Sequence, residues 1–372
     1  MSQVSEQKIN LLGLDQQGLV DFFATLDEKP FRARQLLQWI HQRGVTDFAD
    51  MTDLSQKLRT RLANISVVEA PRSIRESQSS DGCVKWLLSE RGGSAVETVY
   101  IPETGRGTLC ISSQVGCMLN CTFCSTATQG FKRNLSADEV IGQVWFAKQR
   151  LNELTGGQAR ITNVVFMGMG EPLLNLDAVK PALALLRDDL AYGLASRKVT
   201  ISTAGVVPGI DQLASGVEFA LAVSLHAPTD ELRQRLVPLN RKYPLEELMA
   251  ACQRYVAHDS RRSVTFEYTM IDGVNDQLSH AKGLRRLLDG FPCKVNLIPF
   301  NPFPGTPFQP SNDETMYAFQ MAVRTAGIVT TIRKTRGDDI DAACGQLVGQ
   351  VLSPNERRRV VQTQLAKQAL MA

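Results

Sequence analysis

The chain has 372 residues, of which 43% are hydrophobic and 21% charged, and its formal net charge is +3. This composition is that of an ordinary globular protein, long enough for one barrel-sized domain and a smaller one. No apolar run of about 18 residues or apolar signal segment occurs, so we expect neither a transmembrane helix nor a membrane partner. The eight cysteines, three of them tightly clustered, do not resemble a disulfide framework, which predicts a reducing, cytoplasmic location.

The first part of the chain, residues 1–70, is predicted to be a small helical accessory domain. Apolar residues recur at helical spacing over 16–26, 32–40 and 56–62. These helices carry several basic side chains, namely Arg32, Arg34, Lys57, Arg59 and Arg61. Two interpretations stay open: the helices stabilise the main domain, or their basic residues bind RNA phosphates.

Strands then take over, and from residue 108 they alternate with helices. Residues 71–107 are predicted to be a β-rich connector. Strands are predicted at 108–113, 161–167, 198–203, 219–224, 263–270, 294–299 and 329–334, with helical patterns between them. Such alternation indicates βαβ units and a parallel sheet. We therefore predict an α/β fold with a partial (βα)6 TIM-like barrel over 108–352 and a terminal helix over 353–372.

Three cysteines with C-x3-C-x2-C spacing, Cys117, Cys121 and Cys124, are the most specific motif of the chain. Thiolates ligate iron–sulfur clusters, and a [4Fe–4S] cluster has four ligand positions, so three cysteines leave one iron open. A zinc knuckle is the alternative, but zinc sites usually pair C-x2-C with a second such pair or with two histidines, and none follows here.

Other polar motifs follow the predicted strands. Gly170 and Glu171 stand in Gly-Met-Gly-Glu-Pro after one strand, Ser202 and Ser224 end two others, and Asn301 follows a fourth. Because ligands of such barrels sit at the C-terminal ends of the strands, these residues are expected to share one mouth with the cysteine triplet.

Two further cysteines differ from the apolar Cys83, Cys252 and Cys293, which we expect to be buried small side chains. Cys110 lies seven residues before the triplet, on or beside a strand. Cys344 lies in a polar, glycine-flanked loop after the last strand, which favours a reachable thiol.

The cysteine spacing resembles the signature of the radical S-adenosylmethionine (SAM) superfamily. The resemblance implies a [4Fe–4S] cluster held by Cys117, Cys121 and Cys124, with SAM chelated to the open iron. It further implies that SAM is contacted by Gly170, Glu171, Ser202, Ser224, Leu225, His226 and Asn301.

Longer stretches narrow the resemblance to one family. Five stretches are similar to the bacterial dual-specificity RNA methyltransferases that modify C2 of adenine in 23S ribosomal RNA and transfer RNA. They are Ser113 to Ala127, Gly168 to Asn175, Ser224 to Pro228, Ile298 to Gly305 and Arg333 to Gln346. The likeness runs over nearly the whole chain.

The family's chemistry implies roles for the two extra cysteines. Cys344 takes a methyl group from one SAM, and a radical made from a second SAM abstracts hydrogen from that methyl, so that its carbon adds to adenine C2. A base, matched by Glu97, removes the C2 proton. Cys110 then forms a transient disulfide with Cys344 and frees the RNA. From the residues alone, Glu97 is more often a solvated strand carboxylate.

The implied partners are ribosomal and transfer RNA and an electron donor such as flavodoxin, and we expect a monomer. Two alternatives remain open at this point. One is the sister enzyme that methylates C8 of the same ribosomal adenine, which shares the cysteine plan. The other is a non-enzymatic zinc or iron–sulfur protein that binds RNA.

Overall fold

A computed structural model describes residues 8–214, 219–257 and 262–348. The strands are β1 (Ile9–Asn10), β2 (Ser66–Val67), β3 (Arg72–Gln78), β4 (Val84–Ser89), β5 (Ala95–Glu103), β6 (Arg106–Cys110), β7 (Gln114–Val115), β8 (Arg133–Asn134), β9 (Asn163–Phe166), β10 (Val199–Thr203), β11 (Ala220–Ser224), β12 (Val264–Met270), β13 (Cys293–Pro299) and β14 (Val329–Ile332).

The helices alternate with the later strands. They are α1 (Gln16–Ala24), α2 (Phe31–Leu37), α3 (Gln56–Ile65), α4 (Ser125–Thr128), α5 (Ala137–Thr155), α6 (Leu176–Arg187), α7 (Val207–Ala214), α8 (Asp230–Leu236), α9 (Leu245–Ala257), α10 (Leu278–Leu287) and α11 (Asp313–Arg324). The helix predicted for 353–372 lies outside the described residues. None of the described helices is long and apolar enough to cross a membrane.

The residues group into two compact units. The first comprises 8–72, 135–162 and 177–195, and the second comprises the other described residues. The first unit thus takes in α5 and most of α6, which lie in sequence within the predicted barrel region. The predicted domain boundaries themselves stay predictions.

The first unit is helical and is built by local signals. Asp15 caps α1 by accepting the Gly18 N–H at 2.8 Å, and Ser136 with Glu139 forms a capping box at the start of α5. One side of α5 fastens the N-terminal helices, because Trp145 Nε1 donates to the Ile40 carbonyl at 2.8 Å and Lys148 Nζ donates to the His41 carbonyl at 2.7 Å.

The second unit is organised by one ten-stranded sheet in the order β14-β13-β12-β11-β10-β9-β6-β5-β4-β3. Neighbouring strands from β6 through β14 run parallel, each joined to the next by a helical connection. Strand β5 is antiparallel to both β6 and β4. The predicted α/β class and partial barrel are therefore confirmed, with a β-rich extension on one edge.

One face of the parallel strands is apolar and packs against helices. On β12, the ring of Phe266 lies 5.8 Å from that of Phe291, and the ring of Tyr268 lies 5.2 Å from that of Phe319 on α11. Side chains alternate along a strand, so Glu267 between these two aromatics projects from the opposite face. We call that opposite face the inner face.

A short β7–β8 ribbon supports the cysteine loop through a close backbone approach. Gly116 has φ +72°, and a Cβ there would lie 1.8 Å from the Gly130 carbonyl oxygen. Gly130 has φ +65° with open space around it. Gly116 therefore satisfies a steric and a conformational requirement, whereas Gly130 satisfies only the second.

We expect Gly116→Ala to destabilise the protein much more than Gly130→Ala. A left-handed backbone conformation costs an L-residue about 1–2 kcal/mol, and this is the loss of folding free energy expected for Gly130→Ala. Gly116→Ala should lose more, because its Cβ also clashes with the backbone of Gly130. Thermal unfolding and iron content of the two variants check this. Equal losses would contradict the steric role of Gly116.

Candidate active site

The strand register brings the predicted strand residues to the inner face. Cys110 is the register partner of Val165, and Thr200 is also a partner of Val165, so Ser202, two residues on, shares their face. Ser224 is the partner of Glu267. On the antiparallel side, Val99 pairs with Cys110, which puts Glu97 on the same face.

The loop with the cysteine triplet rests on an apolar floor. Cys117, Cys121 and Phe123 pack against buried side chains from loops and from α8, namely Leu119, Ala204, Ala227, Leu232, Leu236, Val237, Ile271 and Phe300. The Thr122 N–H donates to the Leu236 carbonyl at 3.0 Å. This packing fixes the loop that carries the three thiols.

The three thiols lie close enough to influence one another. Burial raises the pKa of Cys117 to about 12 and raises that of Cys121 well above its ordinary value, and the neighbouring Cys124 raises both. Burial also raises the pKa of Cys124. Since buried thiolates that repel one another are costly, this donor set suits a polycationic group that lowers those pKa values on binding.

Arg233 supplies a cation beneath the triplet. Its side chain is fully buried, and its charge acts against the rise in the pKa of Cys121. The guanidinium donates to the carbonyls of Leu225 at 3.2 Å, Ala204 at 2.6 Å and Ser224 at 3.2 Å, and to Asn240 Oδ1 at 2.8 Å. Arg233 thus ties the loops after β10 and β11 to α8.

The triplet fits an iron–sulfur cluster by the chemistry of its donors. Among the residues that the structure describes, no three His, Cys, Asp or Glu side chains are arranged to hold a single metal ion. A cubane bonds each cysteine to a different iron, so its ligands need not converge on one point. Three half-buried thiols on one loop, with a cation behind them, meet that requirement.

Glu171 and Gly170 lie beside the triplet on the loop after β9. Gly170 has φ +91°, and a Cβ there would lie 2.4 Å from the Cβ of Gln114. The Glu171 carboxylate is 3% exposed and accepts the N–H groups of Leu173 at 3.1 Å and Ala204 at 2.8 Å. Burial raises the pKa of Glu171 to about 7, so the site has a carboxylate suited to a cationic ligand group.

The same loop is fastened to the segment that precedes the triplet. The Glu171 N–H donates to Gln114 Oε1 at 2.9 Å, and the Met169 N–H donates to Ser112 Oγ at 2.9 Å. Asn175 Nδ2 donates to the Ser113 carbonyl at 2.8 Å. The position of the Gly-Met-Gly-Glu-Pro motif is therefore fixed by hydrogen bonds to the segment Ser112–Gln114.

His226 follows β11 with an unusual backbone. Its φ is +59°, a left-handed conformation that histidine adopts more often than most residues. Its Nδ1 accepts the Thr269 N–H at 3.0 Å, which leaves the proton on Nε2, and burial lowers its pKa to about 3. Nε2 has no hydrogen-bond partner among the described residues, so the neutral ring offers a buried donor.

The remaining predicted cofactor contacts differ in their surroundings. Ser202 and Ser224 are half-buried, and Leu225 is fully buried with its N–H on the Glu267 carbonyl at 3.0 Å. Asn301 instead reaches the loop with Cys344, since its Nδ2 donates to the Cys344 carbonyl at 3.0 Å. Ser202, Ser224 and His226 thus lie at the ends of adjacent strands, whereas Asn301 also positions Cys344.

Cys344 lies in a loop that is docked on the cysteine triplet loop. The Ser125 N–H donates to the Gly345 carbonyl at 2.7 Å, and Thr126 Oγ1 donates to the Leu347 carbonyl at 2.7 Å. The Cys344 side chain is exposed, although it lies in a recess where surrounding protein raises the pKa of its thiol to about 11 and where Cys124 lies within electrostatic range.

Cys110 and Cys344 lie within electrostatic range of each other. Cys110 is buried on the inner face, and burial together with the proximity of Cys344 raises the pKa of the Cys110 thiol to about 12. Cys344 therefore lies within electrostatic reach of both Cys110 and Cys124. The structure brings all five predicted thiols into one region.

Glu97 is buried, so its interpretation as a solvated strand carboxylate is wrong. Only 2% of its surface is exposed. Its Oε1 lies 3.2 Å from Lys85 Nζ, and its Oε2 accepts the Val348 N–H at 2.8 Å. Burial raises the pKa of Glu97, while Lys85 opposes the rise.

Sequence reasoning missed Arg233 and Lys85. Both residues stand in segments whose charged side chains are expected to be solvated. The one sequence feature that indicated burial was the helical spacing between Arg233 and the buried Leu236, three positions on.

In the helical unit, three of the five basic residues named in the sequence analysis donate to backbone carbonyls: Arg32 to that of Asp53, Arg59 to that of Ala49 and Arg61 to that of Leu26.

Two family models and solved structures match this chain. Residues 9–68 match the ribosomal RNA large subunit methyltransferase N-terminal domain, and residues 111–281 match the radical SAM superfamily. A radical SAM methyltransferase from Sphaerobacter thermophilus is 43% identical, covering 91% of this chain and 99% of that chain, with a TM-score of 0.85. The SuiB protein of Streptococcus suis bound to SAM is 12% identical over 63% of this chain and 55% of that chain, with a TM-score of 0.45, a likeness too low to carry functional information.

These matches define a radical SAM enzyme whose cofactors are a [4Fe–4S] cluster and SAM. The chain belongs to the radical SAM methyltransferases, within the group that carries the N-terminal domain of ribosomal RNA large subunit methyltransferases. It is accordingly a radical SAM RNA methyltransferase.

We expect Cys121→Ala to abolish cluster binding, because a cluster loses one of its three protein ligands. Cys293→Ala is the matched control, since Cys293 is half-buried on β13 and away from the triplet. Iron and sulfide per chain, measured after anaerobic reconstitution, should fall to background in the first variant only. A loaded Cys121→Ala protein would contradict the assignment of ligands.

We expect Arg233→Met to destabilise the protein by about 3 kcal/mol or more, since it leaves buried carbonyls and an amide without their donor. Arg254 provides the control, because its ion pair with Asp211 is solvent-exposed, and Arg254→Met should leave the unfolding midpoint nearly unchanged. Urea unfolding of the two variants checks this, and similar midpoints would contradict the structural role of Arg233.

Proposed function

We propose that the protein methylates C2 of adenine in 23S ribosomal RNA and in transfer RNA, and that Cys344 carries the transferred carbon. The observation that carries this proposal is the position of Cys344 within electrostatic reach of both Cys124 and Cys110. One thiol beside a candidate cluster ligand and a second buried thiol is what a methyl carrier with a resolving partner requires.

The chemistry of C2 explains the need for a carrier. This carbon lies between two ring nitrogens and is electron-poor, so it cannot displace a methyl group from SAM as an ordinary nucleophile does. A thiolate can, and Cys344 is the exposed thiol of the site. When bound, the cluster and two successive SAM molecules supply the methyl group and the radical that activates it.

Several residues of this chain offer groups that suit SAM. The Glu171 carboxylate already accepts two N–H groups, and its remaining lone pairs are able to accept the methionyl ammonium. His226 Nε2 offers a donor, and Ser202 and Ser224 offer hydroxyls at neighbouring strand ends. We assign these four residues to the cofactor, together with the backbone of Gly170 and Leu225 and the amide of Asn301.

Glu97 and Cys110 act after the carbon has joined the base. Glu97 takes the C2 proton, and the unpaired electron that the ring then carries would return to the bound cluster. Cys110 then bonds to the sulfur of Cys344, the carbon–sulfur bond breaks, and its electron pair goes to the substrate carbon, which gains a proton and becomes the methyl group. The resulting disulfide is reduced by an external dithiol, and an external electron donor such as flavodoxin serves the cluster.

The product of the reaction tests the proposed function. The reconstituted enzyme, incubated with SAM, reductant and either ribosomal or transfer RNA, should yield 2-methyladenosine upon digestion of the RNA. Mass spectrometry with chromatographic standards separates it from 8-methyladenosine. The C8 isomer would establish the sister activity instead, and no methyladenosine from a fully loaded enzyme would refute the proposal.

The two cysteines make separable predictions. Cys344→Ala should lose turnover by at least about a thousand-fold, because no thiol carries the methyl group. Cys110→Ala should still join the RNA but should not release it, so a covalent protein–RNA adduct accumulates on denaturing gels. Cys252→Ala, at a buried cysteine of α9, is the matched control and should show neither effect.

A further inference from the structure

Lys85 is a buried cation that the proposed chemistry does not yet use. It lies on β4, and its register partner is Val99, so it shares the inner face with Glu97 and Cys110. Its side chain is 6% exposed. The ammonium lies 3.2 Å from Glu97 Oε1 and donates to the Asp341 carbonyl at 3.0 Å.

The Lys85–Glu97 pair fastens the Cys344 loop on both sides of the cysteine. Asp341 comes three residues before Cys344 and is held by Lys85. Val348 comes four residues after it and donates its N–H to Glu97 Oε2 at 2.8 Å. One ion pair therefore holds the loop segment with the Cys344 thiol at both of its ends.

Each member of this pair depends on the other. A buried charge without a partner is strongly unfavourable, and removing one partner leaves the other uncompensated. The cations that act on Glu97 are Lys85 on β4 and, from β3, Arg75. Lys85 is in contact with the carboxylate and opposes the rise in the pKa of Glu97 that burial causes, so removal of its charge raises that pKa further and disfavours the ionised base.

We propose that Lys85 is the positioning residue of the proton-transfer step, which holds the Glu97 carboxylate ionised and against the Cys344 loop. The base and the thiol that carries the carbon are thereby presented together. In this step the C2 proton passes to Glu97, the electron pair of the C–H bond stays in the ring, and Lys85 keeps its proton. The inference rests on the proposed function, since it assigns Glu97 as the base.

The test compares three variants by release of RNA from the covalent adduct. Lys85→Gln keeps a donor for the Asp341 carbonyl but removes the charge, so release at pH 7 should slow by about ten-fold or more. Release should recover as the pH rises, because Glu97 then ionises without its partner. Lys85→Arg keeps the charge and should release RNA at nearly the wild-type rate, whereas Glu97→Gln should hold the adduct at every pH.

The outcomes separate the inference from the proposed function. A Lys85→Gln enzyme with the wild-type rate and pH profile overturns the role of Lys85, as does an equal loss in Lys85→Gln and Lys85→Arg. If the wild-type enzyme makes no methyladenosine and Cys110→Ala makes no adduct, the proposed function itself fails. If Lys85→Gln does not fold, infrared difference spectra of wild type against Glu97→Gln decide, since a protonated Glu97 at pH 7 refutes the inference.

Discussion

Compensation of buried charge is the constraint on which the whole site depends. Arg233 is buried beneath Cys121, Lys85 is buried against Glu97, and Glu171 is buried among backbone N–H groups. Charges at these depths persist only with partners close by. Each partner comes from a different loop or strand, so the need to satisfy the charges also fixes the loops relative to one another.

This constraint explains why the site is rigid where the chain is irregular. Loops leave backbone N–H and C=O groups without the hydrogen bonds that a helix or a sheet would supply. Here charged side chains make hydrogen bonds with several of these groups. The Arg233 guanidinium takes three carbonyls from the loops after β10 and β11. Lys85 and Glu97 take one carbonyl and one N–H from the Cys344 loop. Preorganisation of this kind keeps reacting groups within reach of one another.

Much of the fold follows from sequence periodicity. Most strands and helices from β6 to α11 were predictable because apolar residues alternate or recur at helical spacing, and because a βαβ alternation favours a parallel sheet. The short elements β7, β8 and α4 were not predicted. The predicted strand 108–113 ends instead at Cys110, since the following residues pair with the loop after β9. Strand β3 lies within the predicted β-rich connector, although its exposed polar face and charged residues hide the alternation.

The site residues were predictable where they lie close together in the sequence at a characteristic spacing. The cysteine triplet and the Gly-Met-Gly-Glu-Pro motif are contiguous, and the topology of a parallel sheet brings strand ends together. Arg233 and Lys85 were not predictable, because a charged residue in Asp-Glu-Leu-Arg-Gln-Arg-Leu or in a strand is usually solvated. Their burial depends on partners far along the chain, such as Glu97 for Lys85 and Ala204 for Arg233.

Burial also bears on when the two free thiols react. Disulfide formation needs a thiolate as the attacking group, and burial holds the pKa of Cys110 near 12, so the resting protein keeps this thiol protonated beside Cys344. In the proposed reaction, a thiolate at Cys110 displaces carbon from the Cys344 sulfur only once that carbon is bonded to the adenine, which takes up the electron pair. Under the proposed function, the burial that keeps Cys110 protonated in the resting protein therefore requires this thiol to lose its proton at the step that releases the RNA.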